Sequence, residues 1–271
     1  MKNKLVNNIA MGVLFFSSML TMFILIAIIV YVSVKGIPVI NWRFISTFPE
    51  GVTMEGGILP TIIATFYLTT LTMIIISPIA IGGAIYLSEY AAKGRLVSLI
   101  RFGADSLSSV PSIVFGLFGF AFFVHFLGLG YSMISGALTL SLMVLPVIMR
   151  TTEEAILSVP NSFREASFGL GASKWQTIKL VVLKSAMPRI LTGIILGVGR
   201  ALGETAAVIF TAGLAIKLPL LPTDTGRTMT CHLYLLATEG TSHDVAFGTA
   251  FLLLIMILFF NIMARIMAKR V

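Results

Sequence analysis

The sequence predicts an all-α integral membrane protein with six membrane-spanning helices. Of its 271 residues, 57% are hydrophobic and only 11% are charged, and the mean hydropathy is +1.01. Soluble domains usually carry charge on about a quarter of their residues, so this chain cannot cover a globule with a solvated surface. The single cysteine excludes a disulfide-stapled secreted fold. The positive charges lie between long apolar runs, so the net charge of +8 predicts no nucleic-acid partner.

The uncharged runs divide into six spans within one domain, residues 1–271. A helix needs about 20 apolar residues to cross a hydrocarbon core about 30 Å thick. The run between Asp105 and Arg150 is too long for one crossing, and it divides at Gly128 and Gly130. The predicted spans are residues 10–34, 58–88, 106–127, 131–150, 190–216 and 245–264, and the longest loop is 151–188.

Lysine and arginine positions predict the orientation in the bilayer. Most of them fall on one side of the predicted spans, and the other side carries only Lys35, Arg43, Lys217 and Arg227. Positive loops favour the cytoplasmic side, so both termini are predicted to be cytoplasmic. The alternative reading of residues 1–35 is a cleaved signal peptide. The apolar run is much longer than such a peptide needs, and it lacks a clear small-residue cleavage site.

The long loop is predicted to contain two short helices that meet at a glycine bend. Pro160 blocks helix continuation from upstream, and Gly169 and Gly171 can end the first helix. Two capping-box patterns mark the helix starts, Ser162 with Glu165 and Ser173 with Gln176.

The bend is expected to expose Phe168, Leu170 and Trp175 beside basic residues. An uncovered apolar surface indicates an interaction site, here a partner protein. An amphipathic segment lying on the inner leaflet, with its lysines facing anionic lipid, explains the same pattern equally well.

The loop resembles the EAA loop of ABC importer permeases, through Glu165-Ala-Ser167 followed by Leu170-Gly-Ala-Ser173. In that family the loop forms coupling helices that dock on a cytoplasmic ATPase. The resemblance implies that the contact involves Glu165, Ala166, Ser167, Phe168, Gly169, Leu170, Gly171, Ala172, Ser173 and Trp175. One departure is that Lys184 follows Leu183, where the family often has proline.

Three further segments are similar to phosphate ABC importer permeases: Gly83–Tyr90, Leu107–Gly119 and Arg200–Thr205. The stretch His232–Glu239 favours the PstA-type over the PstC-type subunit. The resemblance implies a type I, MetI-like permease fold in a bacterial or archaeal inner membrane. It also implies phosphate as substrate, and as partners a PstC-type permease, two PstB-type ATPases and a PstS-type extracytoplasmic binding protein.

Arg200 and Glu204 are the charged residues inside a predicted span. At positions i and i+4 they would share a helix face and could pair. Charge within a membrane is costly and usually faces an aqueous path, and arginine suits phosphate oxygens. The predicted substrate path comprises Arg200, Glu204, Thr205 and Thr211. A buried ion pair that merely orients the helix is the alternative.

Small residues suggest that this helix packs closely, since Gly193 with Gly197 and Gly199 with Gly203 each form a small-xxx-small row. Arg101 and Asp105, also at i and i+4, predict an interfacial salt bridge.

No catalytic residue, metal or cofactor is predicted. The chain contains no phosphate-binding Gly-rich loop, so a partner must supply ATP hydrolysis. Other functions that fit are import of another oxyanion such as sulfate or molybdate, a stand-alone channel or ion-driven carrier, and a non-transporting scaffold. A carrier would be expected to have more intramembrane carboxylates or discontinuous helices.

Overall fold

The protein is almost entirely helical. The computed structural model describes residues 2–50, 55–92, 94–240 and 242–270. The α-helices within these ranges are α1 (Lys2–Gly36), α2 (Trp42–Ser46), α3 (Leu59–Ile85), α4 (Arg95–Ser108), α5 (Ser112–Gly119), α6 (Met133–Leu157), α7 (Asn161–Gly169), α8 (Lys174–Thr177), α9 (Leu183–Leu202), α10 (Ala206–Ile209), α11 (Met229–Glu239) and α12 (His243–Arg270). Wider π-helical turns follow three of them, at Tyr86–Tyr90, Phe120–Phe126 and Ile178–Val182. The described ranges also contain a short 3₁₀ helix, Ile37–Val39, and two short antiparallel strands, β1 (Pro49–Glu50) and β2 (Glu55–Gly56).

The helices confirm the predicted membrane class. Within the described ranges, five helical stretches are long and apolar enough to cross a bilayer: Val6–Val39, Leu59–Tyr90, Met133–Leu157, Lys174–Leu202 and His243–Met263. A sixth is available if α4 and α5, with the turn that follows, count as one broken span. The six predicted spans agree with this larger count.

The third span differs in shape from the prediction. Residues 95–105, expected to be loop, belong to helix α4, and α4 meets the following helical segment at a bend of 102°. Pro111 lies at this bend and cannot donate a backbone hydrogen bond to continue α4. Leu96, Leu99 and Phe102 of α4 are exposed in the single chain.

Helix α6 forms the core, and α3 and α9 pack against it. Leu140, Val144 and Ile148 of α6 are fully buried. Helix α9 approaches α6 so closely at Gly197 that a Cβ atom there would lie 2.9 Å from Val144 Cγ1. At Gly193 a Cβ atom would overlap Thr151. The predicted close packing is therefore confirmed for this row.

The second glycine row lies on an open surface. A Cβ atom added at Gly199 would have no heavy atom within 4 Å, and one at Gly203 would meet only the Gly199 carbonyl oxygen among the described residues. This row packs against no other part of the described chain.

Helix α1 lies at the edge of the fold and packs on α12. A Cβ atom at Gly36 would overlap the Phe251 side chain, and the Tyr31 and Phe247 rings meet edge to face at 5.6 Å. Most other side chains of α1 are exposed, as expected for a lipid-facing helix.

Two helices end at other places than the predicted spans. Helix α6 continues past residue 150 to Leu157. The helix predicted at 190–216 is continuous from Lys174 and ends at Leu202. Charged residues at a membrane interface can lie on a helix that extends beyond the hydrocarbon region, so hydropathy alone misplaces such ends.

We expect Gly197→Val to lower the stability of the protein by about 1–3 kcal/mol, because the new methyl groups would collide with Val144 and Ile148. The matched control is Gly12→Val in α1, where a Cβ atom meets no neighbour within 4 Å. The measurement is the thermal unfolding midpoint in detergent. Equal effects of the two substitutions would contradict this packing.

Candidate functional site

The loop between α6 and α9, residues 158–177, folds into two short helices with a sharp bend. Gly171 adopts a φ of +84°, a conformation that glycine tolerates and other residues rarely adopt. At the start of α8, the Ser173 Oγ accepts from the Gln176 backbone N–H, and the Gln176 Oε1 accepts from the Ser173 N–H at 2.8 Å. The bend and this capping box are confirmed. We call residues 158–177 the α7–α8 loop.

The other predicted capping box is wrong. Helix α7 begins at Asn161 with Pro160 in the N-cap position and has no side-chain cap. Ser162 therefore lies inside the first turn of α7, and its hydroxyl does not accept the N-cap hydrogen bond from the Glu165 backbone N–H.

Apolar side chains of the α7–α8 loop are uncovered. Leu170, next to the bend, is 89% exposed, and Phe168 and Trp175 are about half exposed, as predicted. Phe163 is equally exposed and extends the same surface, although its sequence position alone did not distinguish it. Such a surface on a loop indicates a contact with another molecule.

Most of the predicted contact residues of the loop are exposed, but one is buried and joins the two short helices. Eight of the predicted contact residues are exposed: Glu165, Ala166, Phe168, Gly169, Leu170, Gly171, Ser173 and Trp175. Ala172 is half-buried. Ser167 is buried, and its Oγ lies 2.9 Å from the Thr177 Oγ1, which joins α7 to the end of α8. Ser167 is therefore a bracing residue in the single chain.

The predicted Arg200–Glu204 helix face does not form. Helix α9 ends at Leu202, so Arg200 lies in its last turn and Glu204 lies beyond its end. The Glu204 Oε1 instead accepts from the Ala207 backbone N–H at 3.3 Å, at the start of α10. No ion pair joins the two residues in the part of the chain that the structure describes. Gly199 and Gly203 disfavour continuation of α9. The Ala207 N–H at the start of α10 is a local donor that binds the Glu204 carboxylate instead of Arg200.

The four predicted path residues do not share one surface. Arg200 is exposed, and Glu204 and Thr205 are half-buried. Thr211 is fully buried at the end of α10, where its hydroxyl donates to the Ala207 carbonyl at 2.7 Å. Only Arg200 of these four offers its side chain freely to the surface of this chain.

Arg200 belongs to the uncovered row of α9. Counting back from Arg200 in steps of four, four and three residues gives Leu196, Thr192 and Arg189, and all are exposed. Such steps keep residues on one helix face. Since Gly193 and Gly197 hold the neighbouring face against α6, this row remains open in the single chain.

The ion pair predicted between Arg101 and Asp105 is also wrong. Arg101 pairs with Glu153 of α6 at 2.5 Å, and Asp105 pairs with Arg150 of α6 at 3.3 Å. Helix α4 packs along the end of α6, so both charges find partners there. The sequence signal that was missed is Glu153, which follows the predicted end of the span and is buried.

Behind the Arg200 end of the bundle, α11 contributes a buried histidine. His232 is fully buried, and neither ring nitrogen has a hydrogen-bond partner among the described residues. Burial, and to a lesser extent the charge of Arg227, lower the pKa of His232 from 6.5 to about 4. The ring is therefore neutral in the folded protein at neutral pH.

This geometry defines a membrane-embedded helical protein with an uncovered apolar surface on the α7–α8 loop. The chain belongs to the family of binding-protein-dependent transport system inner membrane components, which matches residues 79–271. It is a permease component of an ABC importer and a multi-pass inner-membrane protein.

Several relatives match along most of the chain. The probable ABC transporter permease protein YqgI of Bacillus subtilis is 37% identical over 98% of this chain and 96% of its own length. The phosphate transport system permease protein PstA of Haemophilus influenzae is 35% identical over 76% of this chain and 73% of its own length. The phosphate transport system permease protein PstA of Pasteurella multocida is 37% identical over 78% of this chain and 74% of its own length.

Solved structures of low identity support the fold. A bacterial ABC transporter that imports the acidic polysaccharide alginate matches with a TM-score of 0.68 and 17% identity, over 99% of both chains. The inward-facing MetNI methionine ABC transporter matches with a TM-score of 0.61 and 19% identity, over 76% of this chain and 92% of that one. The predicted MetI-like permease fold is confirmed.

We expect the protein to lose stability as the pH falls from 6.5 towards 4, partly through His232. Over this range the unfolded histidine binds a proton that the folded one excludes, so unfolding becomes more favourable by at most about 3 kcal/mol. The measurement compares unfolding midpoints of the wild type and His232→Leu between pH 4 and 7.5. The variant should lose less stability on acidification, and parallel losses would contradict the assignment.

Proposed function

We propose that this chain is a PstA-like permease subunit of an ATP-driven phosphate importer. The observation that carries the proposal is the uncovered apolar surface of the α7–α8 loop, at one end of the helix whose other end carries Arg200. Relatives named as phosphate permeases, at 35% and 37% identity, support phosphate over another substrate. The YqgI relative's name specifies no substrate, and the alginate and methionine transporters share only the fold.

In this proposal both termini and the α7–α8 loop face the cytoplasm. Two PstB-type ATPase subunits lie beneath the membrane, and the exposed loop residues enter a cleft on one of them. The pattern of lysine and arginine along the sequence supports this orientation. A PstC-type permease covers the open row of α9, and a PstS-type binding protein delivers phosphate to the opposite side.

Arg200 is the residue that meets phosphate. Its guanidinium is permanently charged and has forked donors that match phosphate oxygens. A phosphate dianion in a low-dielectric path needs such a counter-charge, because losing its hydration is very costly. The exposed position of Arg200, beside the open row that a second permease would enclose, supports a place on the path. Glu204 and Thr205, half-buried beyond the helix end, would line its margin.

A permease for sulfate or molybdate is the nearest alternative, because one arginine does not distinguish tetrahedral anions. A stand-alone carrier would not need an uncovered docking loop. Stimulation of ATP hydrolysis separates these functions: phosphate with its binding protein should stimulate the assembled complex. Stimulation by sulfate alone would assign the other oxyanion, and a complex without ATPase would support the carrier.

We expect Arg200→Ala to abolish phosphate uptake while the assembled complex remains intact, because the path loses its counter-charge. The control is Arg43→Ala, which removes an exposed arginine that lies on another helix, α2, and already pairs with Glu50. Uptake of radioactive phosphate into proteoliposomes is the measurement. Full transport by Arg200→Ala would rule out the path role.

We expect Leu170→Asp to prevent the ATPase from co-purifying with this chain, because it places a charge at the most exposed apolar position of the α7–α8 loop. Leu220→Asp is the matched control, since Leu220 is 78% exposed in a different loop, between α10 and α11. Retention of the ATPase by the Leu170 variant would favour the lipid-facing interpretation of the loop.

A further inference from the structure

The end of α3 contacts the α7–α8 loop through an ion pair that is largely shielded from solvent. Glu89 lies in the π-helical turn Tyr86–Tyr90, and Arg164 lies in α7. The Arg164 Nη2 and Nε donate to the Glu89 Oε1 at 2.6 and 3.1 Å. The two side chains are 14% and 10% exposed, whereas every other ion pair among the described residues has a side chain at least 40% exposed.

The same guanidinium also holds the end of α6. The Arg164 Nη1 donates to the Val159 carbonyl at 2.8 Å, and Nη2 donates to the Ile156 carbonyl at 3.1 Å. Arginine has five donors in a fixed planar arrangement, so one side chain can join three segments at defined angles. Carbonyl groups at a helix C-terminus also attract a cation.

A second contact joins the same two regions. The Lys174 ammonium of α8 lies over the Tyr90 ring, 4.6 Å from its centroid. The Ser167–Thr177 hydroxyl contact holds α7 and α8 together. Both short helices are therefore attached to one turn at the end of α3, and they are attached to each other.

Helix α3 extends from this attachment to the Arg200 side of the bundle. Near its other end, the Thr65 Oγ1 accepts from the Met229 backbone N–H at 2.9 Å, at the start of α11. Between these ends, α3 packs along α6. Helix α3 therefore connects Glu89 with the opposite side of the fold.

We infer that Glu89 and Arg164 form a positioning pair that transmits loop movement to α3, in addition to the covalent connections to α6 and α9. The inference rests on the proposed function, in which an ATPase moves this loop. Separating a largely shielded ion pair leaves both charges without a partner in a poorly solvated site, so the pair resists separation when the loop is displaced. In an exposed ion pair, water solvates the separated charges, so the same displacement would break the pair at little cost.

The test uses the complete complex of both permeases, the ATPases and the binding protein, reconstituted in proteoliposomes. Glu89→Gln keeps the side-chain size and removes the charge. We expect it to assemble and to hydrolyse ATP, with phosphate transported per ATP reduced about tenfold. The control, Glu50→Gln, removes the acid of the exposed Arg43 pair and should leave this ratio unchanged.

A double substitution tests whether the two residues act as a pair. Arg164→Gln should also lower transport per ATP, and Glu89→Gln/Arg164→Gln should lower it no further than Arg164→Gln does. Losses that multiply in the double variant would overturn the inference. Glu89→Asp keeps the charge with a shorter reach, and it should recover part of the ratio.

Two other outcomes would also overturn the inference. In the first, Glu89→Gln transports as much phosphate per ATP as the wild type. In the second, uptake falls only as far as the amount of assembled complex, which is the behaviour of a merely structural pair. In both cases the proposed function stands. If phosphate and its binding protein do not stimulate ATP hydrolysis by the wild-type complex, the proposed function itself is wrong.

Discussion

The close approach of α9 to α6 is the constraint on which the rest of the structure depends. Gly193 and Gly197 bring the two backbones together, and no larger residue fits without displacing Thr151 or Val144. Apolar burial provides little attraction between helices in lipid, so close packing of small residues has to hold them. This contact fixes the rotation of α9, which turns one row towards α6 and leaves the row from Arg189 to Arg200 open.

Helix α9, held in this way, connects the α7–α8 loop with Arg200. Lys174–Leu202 is a continuous helical stretch of 29 residues, about 43 Å long at about 1.5 Å per residue. The hydrocarbon core is about 30 Å thick, so the stretch spans it with helix to spare. The α7–α8 loop ends at the start of this stretch, and the break after Leu202 lies at its other end. Movement of the loop can therefore reach Arg200 along a single element, while α3 offers a parallel route through side-chain contacts.

The features that depend on residues close together in the chain are the ones that the sequence predicts correctly. The membrane class follows from hydropathy, and the Ser173–Gln176 capping box and the Gly171 bend follow from residues close together in the chain. Pairings of charged residues were predicted wrongly where a distant partner competes. Arg101 is four residues from Asp105, yet Glu153 of α6 offers a buried carboxylate closer to its guanidinium. Such competition depends on how helices pack, and spacing along one helix contains no information about it.

Because the chain carries few charged residues, an arginine without an ion-pair partner stands out, and Arg200 is such a residue among those that the structure describes. Near the α7–α8 loop, the partly buried Glu89 neutralises Arg164 and the buried Glu153 neutralises Arg101. Arg200 lies at the other end of α9 and makes no ion pair with any residue that the structure describes. Glu204, the nearest acid in the sequence, is engaged by the Ala207 N–H. An arginine in the last turn of a helix lies near carbonyl groups that favour a cation, and it can extend its side chain to the interface. In the proposed function, the transported phosphate supplies a counter-charge to Arg200 only while it is bound.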